Sequence, residues 1–498
     1  MRIHITSQIT EVPYERTAWV LTCFSGEPLH SQYLPPAALE WVERLRRQGY
    51  VSDKKETCVL LPLPEAPVAY ALCCMVGERD RVTLEDFRRS SGTAGATLYD
   101  KGISHLVLET NHLPHEWPAA FLEGLVLGQY SFEPYRTQEA SNNPRGVSEV
   151  FLLTREGAAS TELETACREV ITVATATNAA RTLANTPPND MTPLALALFA
   201  QGLAQQYGLK QEILGPAELK EKGLNALCAV GQGSASPYFL IILEYAHPEA
   251  KETVALVGKG VTFDTGGISL KPAEQMHEMK FDMCGAAAVL GAMIAVAELQ
   301  PPIRVIGVIP TVENKPGHNA YVPGDILRAY NAKTIEVLNT DAEGRLILAD
   351  ALAYTEKQYT PDVIVDLATL TGACIAALGH FAAGVMGNSA ALVESLIHAG
   401  NHTGERLWAL PLFEDYKNLI KSEHADMSNI GPKGEAGAIV GGIFLQEFVQ
   451  NTPWAHVDIA GTAWGVKHIP YWKPEHATGF GVRLLTAWLR QRTHDLRS

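Results

Sequence analysis

Short runs of apolar, β-branched residues alternate with segments of helical periodicity along most of this chain. No other feature constrains the fold as strongly. Strands and helices in alternation bury their apolar faces when helices cover a sheet, so the pattern predicts α/β layers. Residues 17–24 read as a strand and 36–49 as an amphipathic helix with an Arg-rich outer face. Residues 57–63 and 68–76 read as strands pairing in a hairpin across Pro64-Glu65-Ala66-Pro67. Helices are predicted over 84–99 and 117–130, and strands over 104–109 and 149–153. This half shows no clustered acids, His pairs or Gly-rich phosphate loop. Its mixed acids and bases lie along predicted helices as a solvated face.

At 498 residues the chain exceeds one typical domain. Residues 138–146 read as a polar loop. Residues 161–183 read as one long helix that stops before Asn185-Thr186-Pro187-Pro188-Asn189, since a proline pair cannot continue a helix. The expected division is an N-terminal α/β domain over 1–160, a linking helix over 161–184 and a C-terminal domain over 185–498. A formal net charge of -15 argues against a general nucleic-acid or anionic-membrane surface. The Arg-rich helix around Glu43-Arg44-Leu45-Arg46-Arg47 is the one local opening for a DNA-binding role. The start, Met1-Arg2-Ile3-His4-Ile5-Thr6, has no apolar run of signal-peptide length, and no stretch is expected to span a bilayer. Eight cysteines without CxxC pairs suit free thiols in a reducing cytosol.

The chemistry lies in the second half, above all in Asn339-Thr340-Asp341-Ala342-Glu343-Gly344-Arg345-Leu346. Residues 334–338 before it read as a strand and 346–357 after it as a helix. The octet is therefore a strand-to-helix turn, where open α/β sheets place ligands. In extended backbone Asp341 and Glu343, two apart, face the same side. Arg345 follows at a helix start, where backbone N–H groups also favour an anion. The other reading is a solvated turn whose acids cap the helix. Upstream, Gly258-Lys259-Gly260 follows a strand over 253–257 and leads to Asp264, Gly266-Gly267 and Lys271. It lacks the spacing of a nucleotide-binding loop. Asp282, before a helix of small residues, reads by itself as an N-cap. Taken together, Asp264, Asp282, Asp341 and Glu343 would repel one another without cations, whereas shared carboxylates bridge two divalent metals. Beside two dications a lysine can be neutral and serve as a ligand.

The chain resembles the leucyl aminopeptidase family of dizinc exopeptidases. The octet matches that family's hallmark in full. Further matches are Val257 to Gly260 with Phe263 to Gly267, Asp282-Met283 with Gly285 to Ala287, Pro323-Gly324-Asp325, and Ala368 to Ala373. Trp454 to Trp464 and Ala477 to Arg483 complete the set. The likeness is dense from Thr182 to Leu489 and thinner before it, where Glu123-Gly124 to Phe132 matches best. The resemblance implies a smaller N-terminal α/β domain joined by a helix to a larger C-terminal α/β catalytic domain, its mostly parallel sheet flanked by helices, usually in a homo-hexamer. It implies that Lys259, Asp264, Asp282 and Glu343 bind the tighter metal, and Asp264, Asp341 and Glu343 the more exchangeable one. The metals would be Zn or Mn, with Mg an option at the exchangeable site. Lys271 would meet the oxyanion and Arg345 would hold a bicarbonate acting as general base. Met279, Thr369, Leu370 and Gly372 would shape the substrate site. Cys284, Lys280, Phe281 and Lys315 depart from the family pattern without removing a ligand.

These expectations define a cytoplasmic aminopeptidase that releases leucine and other apolar N-terminal residues from peptides. Two rivals stand beside it. A two-metal phosphoesterase would want several His ligands, and His380, His424 and His456 show no paired ligand spacing. A DNA-binding or regulatory role would need the Arg-rich helix.

Overall fold

The structure, a computed structural model, describes residues 1–495 apart from 10–11, 112, 115, 138–144 and 156–160. Most of the polar loop expected over 138–146 lies outside the described residues. The chain forms two compact units. One comprises Met1–Asn178 with Lys467–Lys473, the other Ala179–Val466 with Pro474–Ser498. The helix Thr161–Asn185 runs across the boundary.

The first unit holds a six-stranded sheet. Its strands are β1 (Arg2–Thr6), β2 (Thr17–Phe24), β3 (Cys58–Pro62), β4 (Tyr70–Gly77), β5 (His105–Glu109) and β6 (Glu149–Leu153), in the order β1-β6-β5-β2-β4-β3. All neighbours pair in parallel except β3, which runs antiparallel to β4 as the predicted hairpin. Alternation along β2 explains how it is buried. Ala18 and Val20 join one core and Trp19, Leu21 and Cys23 the other, one on each face of the sheet. Helices Pro36–Arg47, Leu84–Leu98 and Trp117–Gly128 fall where periodicity predicts them. Strand β1, absent from the sequence reading, alternates Ile3 and Ile5 with Arg2, His4 and Thr6, but it is only five residues long and half-exposed at the sheet edge. On the Arg-rich helix, Arg46 is committed inside the unit to Asp53 and to the carbonyls of Glu27 and Phe24. Arg44 lies over the Trp41 ring.

The second unit holds β7 (Lys210–Leu214), β8 (Phe239–Ala246), β9 (Thr253–Gly258), β10 (Gly260–Asp264) and β11 (Arg304–Asn314). It also holds β12 (Ile326–Arg328), β13 (Thr334–Glu336), β14 (Val363–Ala368), β15 (Ala383–Gly387), β16 (Leu407–Ala409), β17 (Met427–Ser428) and β18 (Trp454–Asp458). The main sheet runs β16-β15-β18-β14-β9-β11-β8-β7, with β10 paired to β11 off that path. Its centre, β18-β14-β9-β11, is parallel. These strands are near-continuous apolar runs because helices cover both faces; every residue of β14 is buried.

Two expectations are corrected here. The strand before the octet is β13, which belongs to a small sheet with β12 and β17 rather than to the main sheet. Three residues cannot carry the register that a central strand would. Second, Met276–Leu299 is long and apolar enough to cross a membrane by length and composition alone. Val, Leu, Ile, Met and Ala supply that apolarity, and 78% of its most apolar window is buried inside the protein as core.

Candidate metal centre

The site lies at the carboxyl ends of the parallel strands, where each chain segment leaves the sheet and can turn a side chain toward a common point. Lys259 follows β9, Asp264 ends β10, Asn314 ends β11, Thr369 follows β14 and Asp458 ends β18. The octet enters from the side, between β13 and the helix Gly344–Tyr359. Its backbone is not extended. Residues 340–341 form a turn and Glu343 is already helical, so the turn itself brings the two carboxylates together.

The ammonium of Lys259 lies 2.8 Å from Asp282 Oδ1 and 2.9 Å from Glu343 Oε1, and donates to the Thr369 carbonyl at 2.9 Å. Lys271 lies 2.7 Å from Asp264 Oδ2 and 2.5 Å from Asp341 Oδ1. Carboxylate oxygens of Asp264, Asp341 and Glu343 lie within 4.8 Å of one another. Asp282 is no N-cap: Met283 holds the cap position, while the Asp282 carboxylate takes the Thr369 hydroxyl at 2.7 Å. Between Asp264 and Lys271, Gly266 and Gly267 adopt φ of +85° and +67°. A Cβ on Gly267 would sit 2.7 Å from Asn314 Oδ1, so this loop needs glycine for space as well as for conformation.

Burial pushes the Asp264 carboxyl up to about 6, with the Glu343 charge adding to it against Lys271 and Lys259. Asp282 and Asp341 are raised by burial too, opposed by Lys259 and Lys271 respectively. Burial also acts against the Glu343 carboxylate, but the two lysines hold it below the usual range. Both lysines resist the same burial because the acids hold them charged. Arg345 has no such surplus of partners and burial lowers it to about 10. Its Nη1 donates to the Asn429 carbonyl at 2.8 Å, and its buried Nε has no partner among the described residues.

The residues present fit a metal centre. Asp282 Oδ2 and Glu343 Oε2 are buried and accept no hydrogen bond from the described residues. A carboxylate oxygen stripped of water and left unpaired is costly, and a cation is what relieves it. Neutralising four acids with two lysines leaves room for added positive charge. A neutral Lys259 requires that charge, since the acids alone hold it protonated.

All eleven residues expected at the site, Met279, Thr369, Leu370 and Gly372 among them, line one cavity of about 450 Å³. The cavity wall also includes Ile375, Ala460 and Trp464, to which the sequence reading gave no role. Trp464 stacks on Phe281 and donates to Glu278 at 3.1 Å. Ala460 and Trp464 lie inside a matched motif and Ile375 two residues beyond one, with apolar character as their only signal. His456 is fully buried and paired with Asp366 at 2.6 Å, His380 bonds the Gly461 carbonyl, and His424 is exposed; none lines the cavity.

The comparisons with known proteins agree with this geometry. The catalytic domain of the cytosol aminopeptidase family matches residues 178–486, and that family's N-terminal domain matches residues 21–139. A probable cytosol aminopeptidase of Nitrosococcus oceani is 42% identical over 510 residues, covering 100% of both chains. One from Cenarchaeum symbiosum is 43% identical over 450 residues, covering 89% of this chain and 90% of the other. A solved structure of the bottromycin maturation enzyme BotP in complex with Mn superposes with a TM-score of 0.84 at 33% identity, covering 96% of this chain and 99% of that one. The chain belongs to the cytosol aminopeptidase family and is a metallo-exopeptidase, a hydrolase.

Proposed function

We propose that the protein releases N-terminal residues, leucine and other apolar ones among them, from peptides. The observation that carries this reading is the convergence of four carboxylates and two lysines in one cavity, with two buried carboxylate oxygens left unpaired. Lys259, Asp264, Asp282 and Glu343 would hold one divalent cation, and Asp264, Asp341 and Glu343 a second. Zinc or manganese suits the set, with magnesium an option at the second site; the likeness to a manganese-bound structure supports manganese. When bound, two such cations would supply a water of lowered pKa, a polarised carbonyl and an anchor for a free α-amine, which would favour cleavage at a chain end.

This chain's own residues do the rest. Lys271 has 22% of its side chain exposed to the cavity, against 4% for Lys259, so Lys271 is the ammonium that can reach a developing oxyanion. Arg345 presents a buried, unpartnered Nε beside the cavity, a place for a bicarbonate that would serve as general base. Met279, Leu370, Ile375 and Ala460 offer an apolar wall to the first side chain of the peptide. Thr369 and Gly372 shape its rim. Assembly as a homo-hexamer and a cytoplasmic location are part of this proposal.

The test is an aminopeptidase assay on a panel of aminoacyl substrates, with metal content measured on the same sample. Leucyl and other apolar substrates should be cleaved fastest by protein carrying two metals per chain. Turnover by metal-stripped protein, or none by loaded protein on any aminoacyl substrate, overturns the proposal.

A further inference from the structure

Asn314 ends β11, directly opposite Asp264 in the parallel pairing of β10 with β11. Its side chain is fully buried. The amide nitrogen donates to Asp264 Oδ1 at 2.8 Å and to the Thr340 carbonyl at 3.0 Å. Both partners are acceptors, so the nitrogen must be the atom that faces them. The Asn314 main-chain carbonyl accepts from the Thr265 N–H at 3.0 Å and the Thr265 hydroxyl at 2.9 Å. One residue thus ties the strand carrying Asp264 to the turn carrying Asp341 and Glu343.

We propose that Asn314 is a positioning residue of this centre, fixing Asp264 against the octet and deciding which carboxylate oxygen meets a cation. The argument rests on the metal-centre reading above. Asp264 Oδ1 already accepts two hydrogen bonds, from Asn314 and from the Gly266 N–H at 2.8 Å. Oδ2 is left to face positive charge, and in this structure it faces Lys271. Without Asn314, the carboxylate turns more freely, and the Thr340 carbonyl keeps only the Tyr321 hydroxyl, at 2.8 Å. The spacing between Asp264 and the octet acids is then left to Lys271, which bridges Asp264 and Asp341, and to the Thr340 bond with the Gly266 carbonyl.

A buried asparagine that only completes the core would affect folding but not metal affinity. The experiment therefore measures manganese(II) affinity of metal-stripped protein by calorimetric titration, alongside thermal unfolding and circular dichroism. Asn314→Ala, folded, should bind manganese about 10–100-fold more weakly than wild type, the loss typical of outer-shell partners. Added manganese should restore turnover toward wild type. Tyr321→Phe, which leaves the Asn314 tie in place, should change affinity much less. If Asn314→Ala does not fold, Asn314→Ser is read in its stead by the same criterion. Glu343→Ala, measured in parallel, separates the two levels of the argument. If Glu343→Ala loses metal while folded Asn314→Ala or Asn314→Ser binds like wild type, the positioning role is overturned and the metal reading stands. If Glu343→Ala binds like wild type, the metal reading falls and this inference with it.

Discussion

Gly344→Ala separates the demands of the fold from those of the site. Gly344 opens the helix Gly344–Tyr359 with ordinary helical backbone, a place where alanine is the better helix former by up to about 1 kcal/mol. A Cβ there would lie 2.6 Å from Lys259 Cε, 2.7 Å from its Nζ and 2.8 Å from its Cδ. All three atoms belong to the far end of one side chain, so the backbone can stay and the lysine must retreat. The retreat is on the order of 1 Å, and a misplacement of about that size costs about 10²-fold in rate at a preorganised centre. Lys259 would leave contacts of 2.8 Å with Asp282 and 2.9 Å with Glu343 and Thr369. Metal affinity should fall by about 10–100-fold, as when a ligand loses its orientation. The variant should stay folded but melt below the wild-type temperature, because loosening the buried ion pairs of Lys259 costs more than the helix gains, with weaker manganese binding and lower kcat/KM on a leucyl substrate. Wild-type affinity and turnover in a folded variant would refute the reasoning.

Further outcomes follow from other parts of the molecule. Lys271→Ala should lower turnover by about two to three powers of ten, as for one lost oxyanion donor, and keep its metal. Lys259→Ala should instead lose metal and recover in part with excess metal; equal metal loss in both variants would contradict this division of roles. Burial acts against the His456 imidazolium, yet the Asp366 carboxylate 2.6 Å away, helped by Asp458, raises the imidazole above its ordinary 6.5. Its stabilisation is therefore complete below about 6.5 and is lost as pH rises through the folded value. The denaturation midpoint should fall more steeply above neutrality in wild type than in His456→Gln, and parallel curves would count against the pairing. All eight cysteines are free thiols in the structure, so titration of denatured, unreduced protein should count eight. A lower count in protein taken from its own cells would reveal a disulfide.

The sequence made the charged residues of the site legible because charged residues in an apolar, β-branched context are conspicuous. Lys259, Asp264, Asp341 and Glu343 each interrupt a buried run or a helix start, and burial gives each carboxylate a need for a counter-charge that the residue type already announces. The geometry that brings them together was less visible. Asp341 and Glu343 converge through a turn and not through extended backbone, because Thr340 is tied to the Gly266 carbonyl at 2.6 Å and to the Ser269 N–H at 2.8 Å. Those partners lie some 70 positions away in the chain, and short-range periodicity carries no trace of them. Asn314 escaped notice for the same reason. A polar residue ending an apolar strand reads as a strand terminus, and its two acceptors are distant in sequence. The segment Lys467–Lys473, which belongs with the first unit, has no compositional mark either.

Gly258-Lys259-Gly260 shows how a local motif acquires its meaning from packing. Beside a strand it hints at a phosphate loop, although it lacks the spacing of one. In the structure the chain passes from β9 to β10 with Lys259 as the only residue between them. A Cβ on Gly258 would lie 2.5 Å from the Gly285 carbonyl, and one on Gly285 would lie 2.2 Å from the Leu367 carbonyl and 2.9 Å from the Lys259 nitrogen. The glycines therefore let the helix Cys284–Leu299 press onto β9 and β14 with backbone against backbone. Hydrogen bonds lock that contact: the Lys259 N–H donates to the Leu367 carbonyl at 3.0 Å, and the Ala286 N–H to the Lys259 carbonyl at 2.9 Å. With its main chain clamped on both sides, Lys259 has one way out, over Gly344 toward Asp282 and Glu343. The small-residue run after Asp282 and the glycines around Lys259 are thus two halves of one contact, and that contact aims the lysine.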